Sequence, residues 1–233
     1  MPKENNIKLP LIVYIHGGGW QKGTKDQGFM ALKYFLASGK YIGASIEYRF
    51  SQHAIWPAQI DDCKMALEWL RNNAEKYNID PQRIAVYGAS AGGQLVSLLG
   101  TSNLVSCVVD FCGPADIYAL SLVTDSPLHF GRPDSCESLL IGGLASEKRE
   151  IANDASPITH VNKDCPPFLI AHGEKDNVVP ISIAENFYQK LLSANLKIPP
   201  IFVKVPKKGH IDLIINPGKK LLVQMQEFFT RNI

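Results

Sequence analysis

The sequence lacks a long hydrophobic segment and a recognisable targeting signal. No apolar run among its 233 residues reaches the ~18 residues that a membrane-spanning helix needs. The opening stretch, MPKENNIKLP, is polar and contains no apolar core of a signal peptide. The sequence as written therefore predicts a cytoplasmic protein with no membrane partner. A secretory signal lost with a truncated N-terminus is the alternative.

An excess of charge of one sign is also missing. The chain has 24 Lys and Arg residues against 22 Asp and Glu residues. Its basic pairs, Lys207-Lys208 and Lys219-Lys220, are too short to form a nucleic-acid footprint. We therefore expect no nucleic-acid partner, and we interpret both pairs as solvated surface.

Cysteine patterns typical of metal or redox sites are absent as well. The five cysteines are odd in number and contain no C-x-x-C pair. Two of them lie in the apolar stretch LVSCVVDFCG, where buried thiols are the expected state. The sequence predicts neither a metal site nor a cofactor from its cysteines, which are Cys63, Cys107, Cys112, Cys136 and Cys165.

What the sequence does contain is an alternation of short apolar runs and amphipathic segments. Hydrophobic residues make up 45% of a chain long enough for one substantial core, so we expect a single domain over residues 1–233. The alternation favours an α/β fold: a mostly parallel sheet of about six strands, with helices on both faces and ligand sites at one edge. The predicted strands are 11–16, 41–48, 83–88, 104–113, 167–173 and 200–206. The predicted helices are 26–38, 56–77, 91–100, 181–194 and 213–229, the second with apolar residues near helical spacing at Ile60, Met65, Ala66, Trp69 and Leu70.

The pentapeptide Gly-Ala-Ser-Ala-Gly over residues 88–92 lies between a predicted strand and a predicted helix. A serine nucleophile must project from a tight strand-to-helix turn, and small flanking residues let the strand and helix approach closely. The helix N-terminus behind the turn favours developing negative charge. The pattern therefore makes Ser90 the candidate nucleophile, with an ordinary turn as the alternative.

The partners of such a serine are predicted in the loops after the last two strands. Asp176 follows the strand 167–173 and His210 follows the strand 200–206, so both lie at the same sheet edge as Ser90. Their order along the chain is serine, acid, histidine, as this architecture requires. Asp176 would orient and stabilise the imidazole, and His210 would take the serine proton.

Other histidines and acids compete for these roles. We expect His172, at the end of a strand, to shape the acid loop, and His16 to bond local backbone. Asp212 is too close in sequence to His210 to serve as its acid, and Glu174 lies earlier in the acid loop than Asp176.

A run of three glycines follows the first predicted strand, in the stretch YIHGGGWQKG. Glycines let backbone N–H groups point into a site without side chains that would block a substrate carbonyl. Together with the residue after the nucleophile, such a loop can bind an oxyanion. We therefore predict an oxyanion hole formed by Gly18, Gly19 and Ala91. A phosphate-binding loop is a poor alternative, because neither GxGxxG nor GK[ST] is present.

Taken together, these motifs resemble the α/β-hydrolase superfamily, and more narrowly the esterases similar to hormone-sensitive lipase. The combination looks most like the small bacterial branch of bifunctional feruloyl and acetyl-xylan esterases, the BD-FAE type. Nearly the whole chain takes part. The motifs that carry the resemblance are HGGGW (16–20), EYRF (47–50), WPAQIDD (56–62), DPQRIAVYGASAGG (80–93), HGEKDNVVP (172–180) and GH (209–210).

The resemblance implies a serine carboxylesterase that hydrolyses short-chain esters through an acyl-enzyme, without a metal or cofactor. It implies acetyl or feruloyl esters of plant polysaccharide as substrates, so the expected partner is a small ester or an acylated polysaccharide. It also implies that Arg49, Asp61 and Asp62 support the oxyanion loop and the sheet edge and take no part in the reaction.

Two departures from the family pattern carry expectations of their own. The family has further strands before the HGGG loop, so we expect those N-terminal strands to be absent here and the sheet edge to be exposed. Segment 116–156 is too short for a large helical cap, so we expect a small cap or rim and an open site for small acyl groups. We expect Trp20 and the rim residues 116–144 to flank the substrate.

Two other functions stay open. An amide hydrolase, of the formamidase or peptidase type, would use the same acyl-enzyme route, although a peptidase usually needs an extra domain to select peptides. A non-catalytic binding protein on a hydrolase scaffold would usually lack the serine or the histidine, and here both are present. A homodimer is a further possibility.

Overall fold

The computed structural model describes residues 7–233 and is built on a six-stranded sheet. The strands lie in the order β2-β1-β3-β4-β5-β6, and every neighbouring pair is parallel. They are β1 (Leu9–Ile15), β2 (Ile42–Ile46), β3 (Ile79–Ala89), β4 (Cys107–Phe111), β5 (Phe168–Gly173) and β6 (Ile201–Val205). The predicted α/β fold with a parallel sheet is confirmed. The polar stretch predicted to lack a signal falls partly on residues 1–6, which lie outside the described residues.

The central strands are apolar on both faces, because helices cover both sides of the sheet. In β1, Leu11, Val13 and Ile15 enter one hydrophobic core, whereas Ile12 and Tyr14 enter the other. Helices α2 (Ala58–Asn72), α3 (Ala91–Thr101) and α7 (Ile181–Ser193) pack on the first face. Helices α1 (Gln27–Leu36), α8 (His210–Ile215) and α9 (Lys219–Asn232) pack on the second.

The last predicted helix is two helices, which corrects the sequence interpretation. Helix α8 ends at Ile215 and α9 begins at Lys219. Pro217 and Gly218 lie between them, and Gly218 has a backbone φ of +85°. A proline cannot donate the helical hydrogen bond, and a left-handed glycine ends a helix, so a single helix cannot pass through this point.

Helix α2 also differs from the prediction, in its length and in its buried face. It ends at Asn72, and its core contacts come from Ile60, Cys63 and Leu67. Met65 and Trp69, predicted on the apolar face, are 58% and 51% exposed. The helix carries two apolar stripes, and packing against the sheet buries the stripe that contains Cys63 and Leu67.

Short elements fill the long connection between β4 and β5. They are α4 (Ile117–Ser121), α5 (Cys136–Ile141), α6 (Arg149–Asp154) and a 3-10 turn at Pro157–His160. The Asp116 side chain caps α4 by accepting a hydrogen bond from the Ala119 N–H group. Because β4 and β5 are parallel, this connection runs from the carboxyl edge of the sheet, where β4 stops, back to the opposite edge, where β5 begins. Side chains from its first part line the cavity described below.

Across residues 7–233, every helix falls short of the length and apolar character required to cross a bilayer. All five cysteines are free thiols, and four of them are buried, including Cys107 and Cys112 as predicted. Cys136 is the partly exposed one.

Candidate active site

Ser90 occupies the turn between the end of β3 and the start of α3. Its backbone φ is +55°, a conformation that few residues other than glycine adopt. A Cβ on Gly88 would lie 2.3 Å from the Gly92 carbonyl oxygen, and one on Gly92 would lie 2.1 Å from the Ile15 carbonyl oxygen. The strand, the helix and β1 therefore approach closely only because both flanking positions are glycines.

The three predicted side chains meet at this turn. His210 Nε2 lies 2.9 Å from Ser90 Oγ, and His210 Nδ1 lies 2.7 Å from Asp176 Oδ2. The carboxylate can only accept, so Nδ1 carries the hydrogen and Nε2 is free to accept from the serine hydroxyl. The arrangement joins the ends of β3, β5 and β6, three segments far apart in sequence.

The Asp176 carboxylate is buried and held by four contacts. Oδ1 accepts from the backbone N–H groups of Val178 and Val179, each at 2.9 Å. Oδ2 accepts from His210 and lies 3.2 Å from His172 Nε2. Burial by itself would raise the pKa of this carboxyl, but the hydrogen bonds from His172 and His210 outweigh it and hold the pKa well below its usual range. Asp176 is therefore ionised whenever the fold is intact near neutral pH.

The glycine loop after β1 packs directly against the serine turn. A Cβ on Gly17 would lie 2.7 Å from the Ala89 carbonyl oxygen and 3.1 Å from Ser90 Cβ. Gly18 has a φ of +122° and leaves no space for a side chain, since its Cβ would lie 2.0 Å from the Lys22 carbonyl oxygen. Within residues 7–233, the backbone N–H groups of Gly18 and Gly19 have no hydrogen-bond acceptor. Two unpaired donors thus belong to residues that line the same cavity as Ser90.

His16 fixes the start of this loop. Its imidazole is fully buried and stacks on Tyr48, with ring centroids 4.4 Å apart. His16 Nδ1 donates to the Gly17 carbonyl oxygen at 2.8 Å, in agreement with the expectation of a local backbone bond. Burial lowers the pKa of His16, which favours the neutral ring.

Trp20 anchors the other end of the loop. It forms part of the cavity wall but is only 1% exposed, and its indole N–H donates to Gln94 Oε1 at 3.1 Å. Gln94 in turn donates to the Ala155 carbonyl oxygen. The side chain therefore links the loop to helix α3 and to the connection after β4, and a contact between Trp20 and substrate stays a prediction.

The segment after β2 holds the loop from outside. Arg49 makes a two-nitrogen contact with the Asp62 carboxylate, with Nη2 to Oδ1 at 2.8 Å and Nε to Oδ2 at 2.9 Å. Two residues later, the Ser51 N–H group donates to the Trp20 carbonyl oxygen at 2.8 Å. These contacts are of the supporting kind expected for Arg49 and Asp62. Asp61 is exposed, and its side chain makes no contact of this kind within the described residues.

A cavity of about 650 Å³ opens above Ser90 and His210. The glycine loop forms one wall, and the polar residues Asp134 and Ser135 also line the cavity. The remaining surface is largely apolar, as is usual for small-molecule sites. Apolar side chains on this surface come from the connection after β4, the acid loop and α8, and they include Leu120, Leu128, Phe130, Val178, Val179, Ile211 and Ile214.

One group of side chains has the composition of a metal site. Donor atoms of Cys112, Asp176 and His210 lie within 4.8 Å of one another. Burial raises the pKa of the Cys112 thiol well above its ordinary value, so the thiol stays protonated and is a poor ligand. Asp176 and His210 already bind each other, so this group fits a hydrogen-bonded triad better than a metal centre.

Sequence comparison finds relatives of this chain that are described as esterases. The BD-FAE family model matches residues 1–191. Esterase LipC of Mycobacterium tuberculosis is 32% identical over 217 residues, which is 86% of this chain and 52% of LipC. The probable carboxylic ester hydrolase LipM of the same organism is 31% identical over 215 residues, or 86% of this chain and 49% of LipM. The chain thus spans about half the length of the curated relatives it matches.

One similar solved structure aligns with this chain over most of its own length. It is described as a truncated form of a carbohydrate esterase from gut microbiota, and it is 30% identical with a TM-score of 0.85. The alignment covers 100% of this chain and 88% of that one. With a family model matching well over half of its residues, the chain belongs to the BD-FAE family and has the α/β-hydrolase fold.

Proposed function

We propose that the protein is a carboxylesterase in which Ser90, His210 and Asp176 are the catalytic triad. The observation that carries the proposal is the continuous hydrogen-bonded chain from Ser90 Oγ through both imidazole nitrogens to Asp176 Oδ2. A serine hydroxyl becomes an effective nucleophile only when a base removes its proton, and this arrangement supplies an oriented base.

In the acylation step, Ser90 Oγ attacks the ester carbonyl carbon while its proton moves to His210 Nε2. The carbonyl oxygen becomes an oxyanion, which the N–H groups of Gly18, Gly19 and Ala91 stabilise. His210 then gives its proton to the leaving alcohol as the carbon–oxygen bond of the ester breaks. The products are an acyl-enzyme on Ser90 and the free alcohol.

Deacylation repeats these steps with water. His210 takes a proton from a water molecule, whose oxygen attacks the acyl-enzyme carbonyl. The second tetrahedral intermediate collapses, Ser90 recovers its proton from His210, and the carboxylic acid leaves. The ionised Asp176 stabilises the imidazolium that forms in both halves of the cycle.

We further propose short acyl esters as the substrate class, with acetyl or feruloyl esters of plant polysaccharide as the natural candidates. The moderate cavity volume and its largely apolar wall suit a small acyl group, and the open rim leaves room for a larger alcohol. The carbohydrate esterase among the similar structures supports a sugar alcohol on that side.

The test is a substrate panel on the purified protein and its Ser90→Ala variant. The panel contains p-nitrophenyl acetate, longer p-nitrophenyl esters, methyl ferulate, acetylated xylan and an aminoacyl anilide. We expect turnover of the short esters and loss of turnover in Ser90→Ala. Activity that persists in Ser90→Ala would contradict the role of Ser90, and anilide turnover equal to ester turnover would favour an amide hydrolase.

A further inference from the structure

A second histidine lies behind the triad. His172, on β5, is fully buried and does not line the cavity. Its Nε2 is 2.9 Å from the Val179 carbonyl oxygen and 3.2 Å from Asp176 Oδ2. A carbonyl and an ionised carboxylate both only accept, so Nε2 carries the hydrogen that these two oxygens share.

These contacts connect the acid to a rigid part of the fold. Asp176 itself lies in a loop whose residues Glu174, Lys175 and Asn177 are exposed. The backbone bonds to its Oδ1 come from Val178 and Val179 of the same loop, so they move with it. His172 ties both the carboxylate and the Val179 carbonyl to β5, a strand with a neighbour on each side.

The other side of His172 faces a second buried acid. Asp110 on β4 pairs with Ile170 on β5, so Asp110 and His172 lie on the same face of the sheet, two residues apart in register. Asp110 accepts from Ser97 Oγ on α3 at 2.8 Å. Across residues 7–233, His172 Nδ1 has no hydrogen-bond partner, and that side of the buried ring is held by packing.

We propose that His172 is a positioning residue that holds the Asp176 carboxylate where it can orient His210. This inference rests on the proposed esterase function. His172 does not touch substrate, so its effect passes through Asp176 and His210 to the serine. Loss of the Nε2–H donor frees Asp176 Oδ2 to rotate, and the imidazole then loses its alignment with Ser90.

Three substitutions separate the donor from the volume of the ring. In His172→Gln the amide nitrogen lies three bonds from Cβ, as Nε2 does, so it can donate to the same oxygens. In His172→Asn the amide nitrogen lies two bonds from Cβ, at the position of Nδ1, and cannot reach them. His172→Phe keeps the ring and removes the donor, and His160→Gln, at a position that does not line the cavity, is the matched control.

We expect kcat for p-nitrophenyl acetate to fall by about 10- to 100-fold in His172→Phe. Displacement of a catalytic group by about 1 Å can reduce the rate by about 100-fold. KM should change little, because the cavity wall is intact. His172→Asn should behave like His172→Phe, whereas His172→Gln should recover most of kcat. Should His172→Phe fail to fold, the comparison of Asn with Gln decides the proposal.

A spectroscopic readout makes the test independent of turnover. The proton between His210 Nδ1 and Asp176 Oδ2 should give a low-field ¹H resonance, lost or shifted in His172→Phe and retained in His172→Gln. An unchanged resonance and kcat in His172→Phe would overturn the proposal, as would equal losses in all three variants. A wild-type protein without ester turnover would overturn the proposed function, and the resonance would still decide the role of His172.

Discussion

Three residues around the site hold a backbone conformation that disfavours side chains. Trp20, Ser90 and Cys112 have φ values of +58°, +55° and +44° and are not glycines. Each such residue costs about 1–2 kcal/mol relative to an ordinary conformation. Strain of this kind persists only where surrounding contacts enforce it, and it clusters at functional sites. The glycine loop after β1, the serine turn and the end of β4 are thus held in shape by their packing, even where the local conformational preference opposes it.

Gly18→Ala tests the loop at the scale of one residue. An added Cβ would collide with the Lys22 carbonyl oxygen and force the loop to move its N–H groups away from Ser90. We expect kcat for p-nitrophenyl acetate to fall by about 10²–10³-fold, the effect of losing one oxyanion donor. Steady-state kinetics on the two proteins measures this.

Gly39→Ala is the matched control for that substitution. Gly39 also has a positive φ, +67°, but its Cβ would meet no atom within 4 Å. This variant should carry a similar backbone strain of about 1–2 kcal/mol and keep wild-type kcat. Equal kinetic effects of the two alanines would contradict a specific role for the Gly18 backbone.

At the scale of elements, the site depends on how β4 and α3 are joined. Asp110 on β4 binds Ser97 on α3 and the N–H group of Gly113 just past the strand. Burial raises the pKa of Asp110 to about 6, although the hydrogen bonds from Ser97 and from the Gly113 N–H group partly oppose the rise. Burial inside this packed interface therefore destabilises the ionised form of the Asp110 carboxyl.

Asp110→Asn should reveal the cost of that charge. Between about pH 4 and pH 6 the unfolded chain releases the Asp110 proton before the folded chain does. The wild type therefore loses stability as pH rises through this window, whereas the asparagine variant, which mimics the protonated acid, does not. Above pH 7 we expect Asp110→Asn to be more stable by up to about 3 kcal/mol.

Urea unfolding of both proteins from pH 4 to pH 8 measures this difference. Asp125→Asn, at an exposed position, is the control and should leave the profile unchanged. A stability difference between wild type and Asp110→Asn that stays constant over this range would contradict the assignment.

At the scale of the whole molecule, the parallel sheet brings distant segments to one edge. Ser90 and His210 are separated by 120 positions in sequence, yet their side chains are in hydrogen-bond contact. The charge of the chain, by contrast, is spread and nearly balanced, with a formal net charge of +2. A protein of this kind has no strong field to steer a charged ligand.

We therefore expect kcat/KM for the neutral ester p-nitrophenyl acetate to change little between low and high salt, because surface interactions are screened without affecting a neutral ligand. Initial-rate assays over a series of sodium chloride concentrations measure this dependence of kcat/KM on salt. A steep fall with salt would indicate a charged surface that takes part in binding. Homodimer formation and cytoplasmic location also stay predictions at this scale.

The limits of sequence reasoning follow from particular residues. The break between α8 and α9 can be predicted from the sequence, since Pro217 and Gly218 are local signals that act through the backbone alone. The buried face of α2 was not, because Met65, Trp69, Cys63 and Leu67 are all apolar and local periodicity does not say which stripe meets the sheet. That choice is made by packing against strands that are remote in sequence.

The sequence by itself determined the six strands in their order along the chain, the serine turn, the glycine loop and the three residues expected to meet. These depend on local chemistry: apolar runs, glycines where backbones approach, and polar residues after strands. Only the tertiary structure decided that His172 Nε2 reaches Asp176, that Asp110 lies on the same sheet face, and that Trp20 is buried against Gln94. These contacts join separate strands and loops, and their distances depend on the register and packing of the whole sheet.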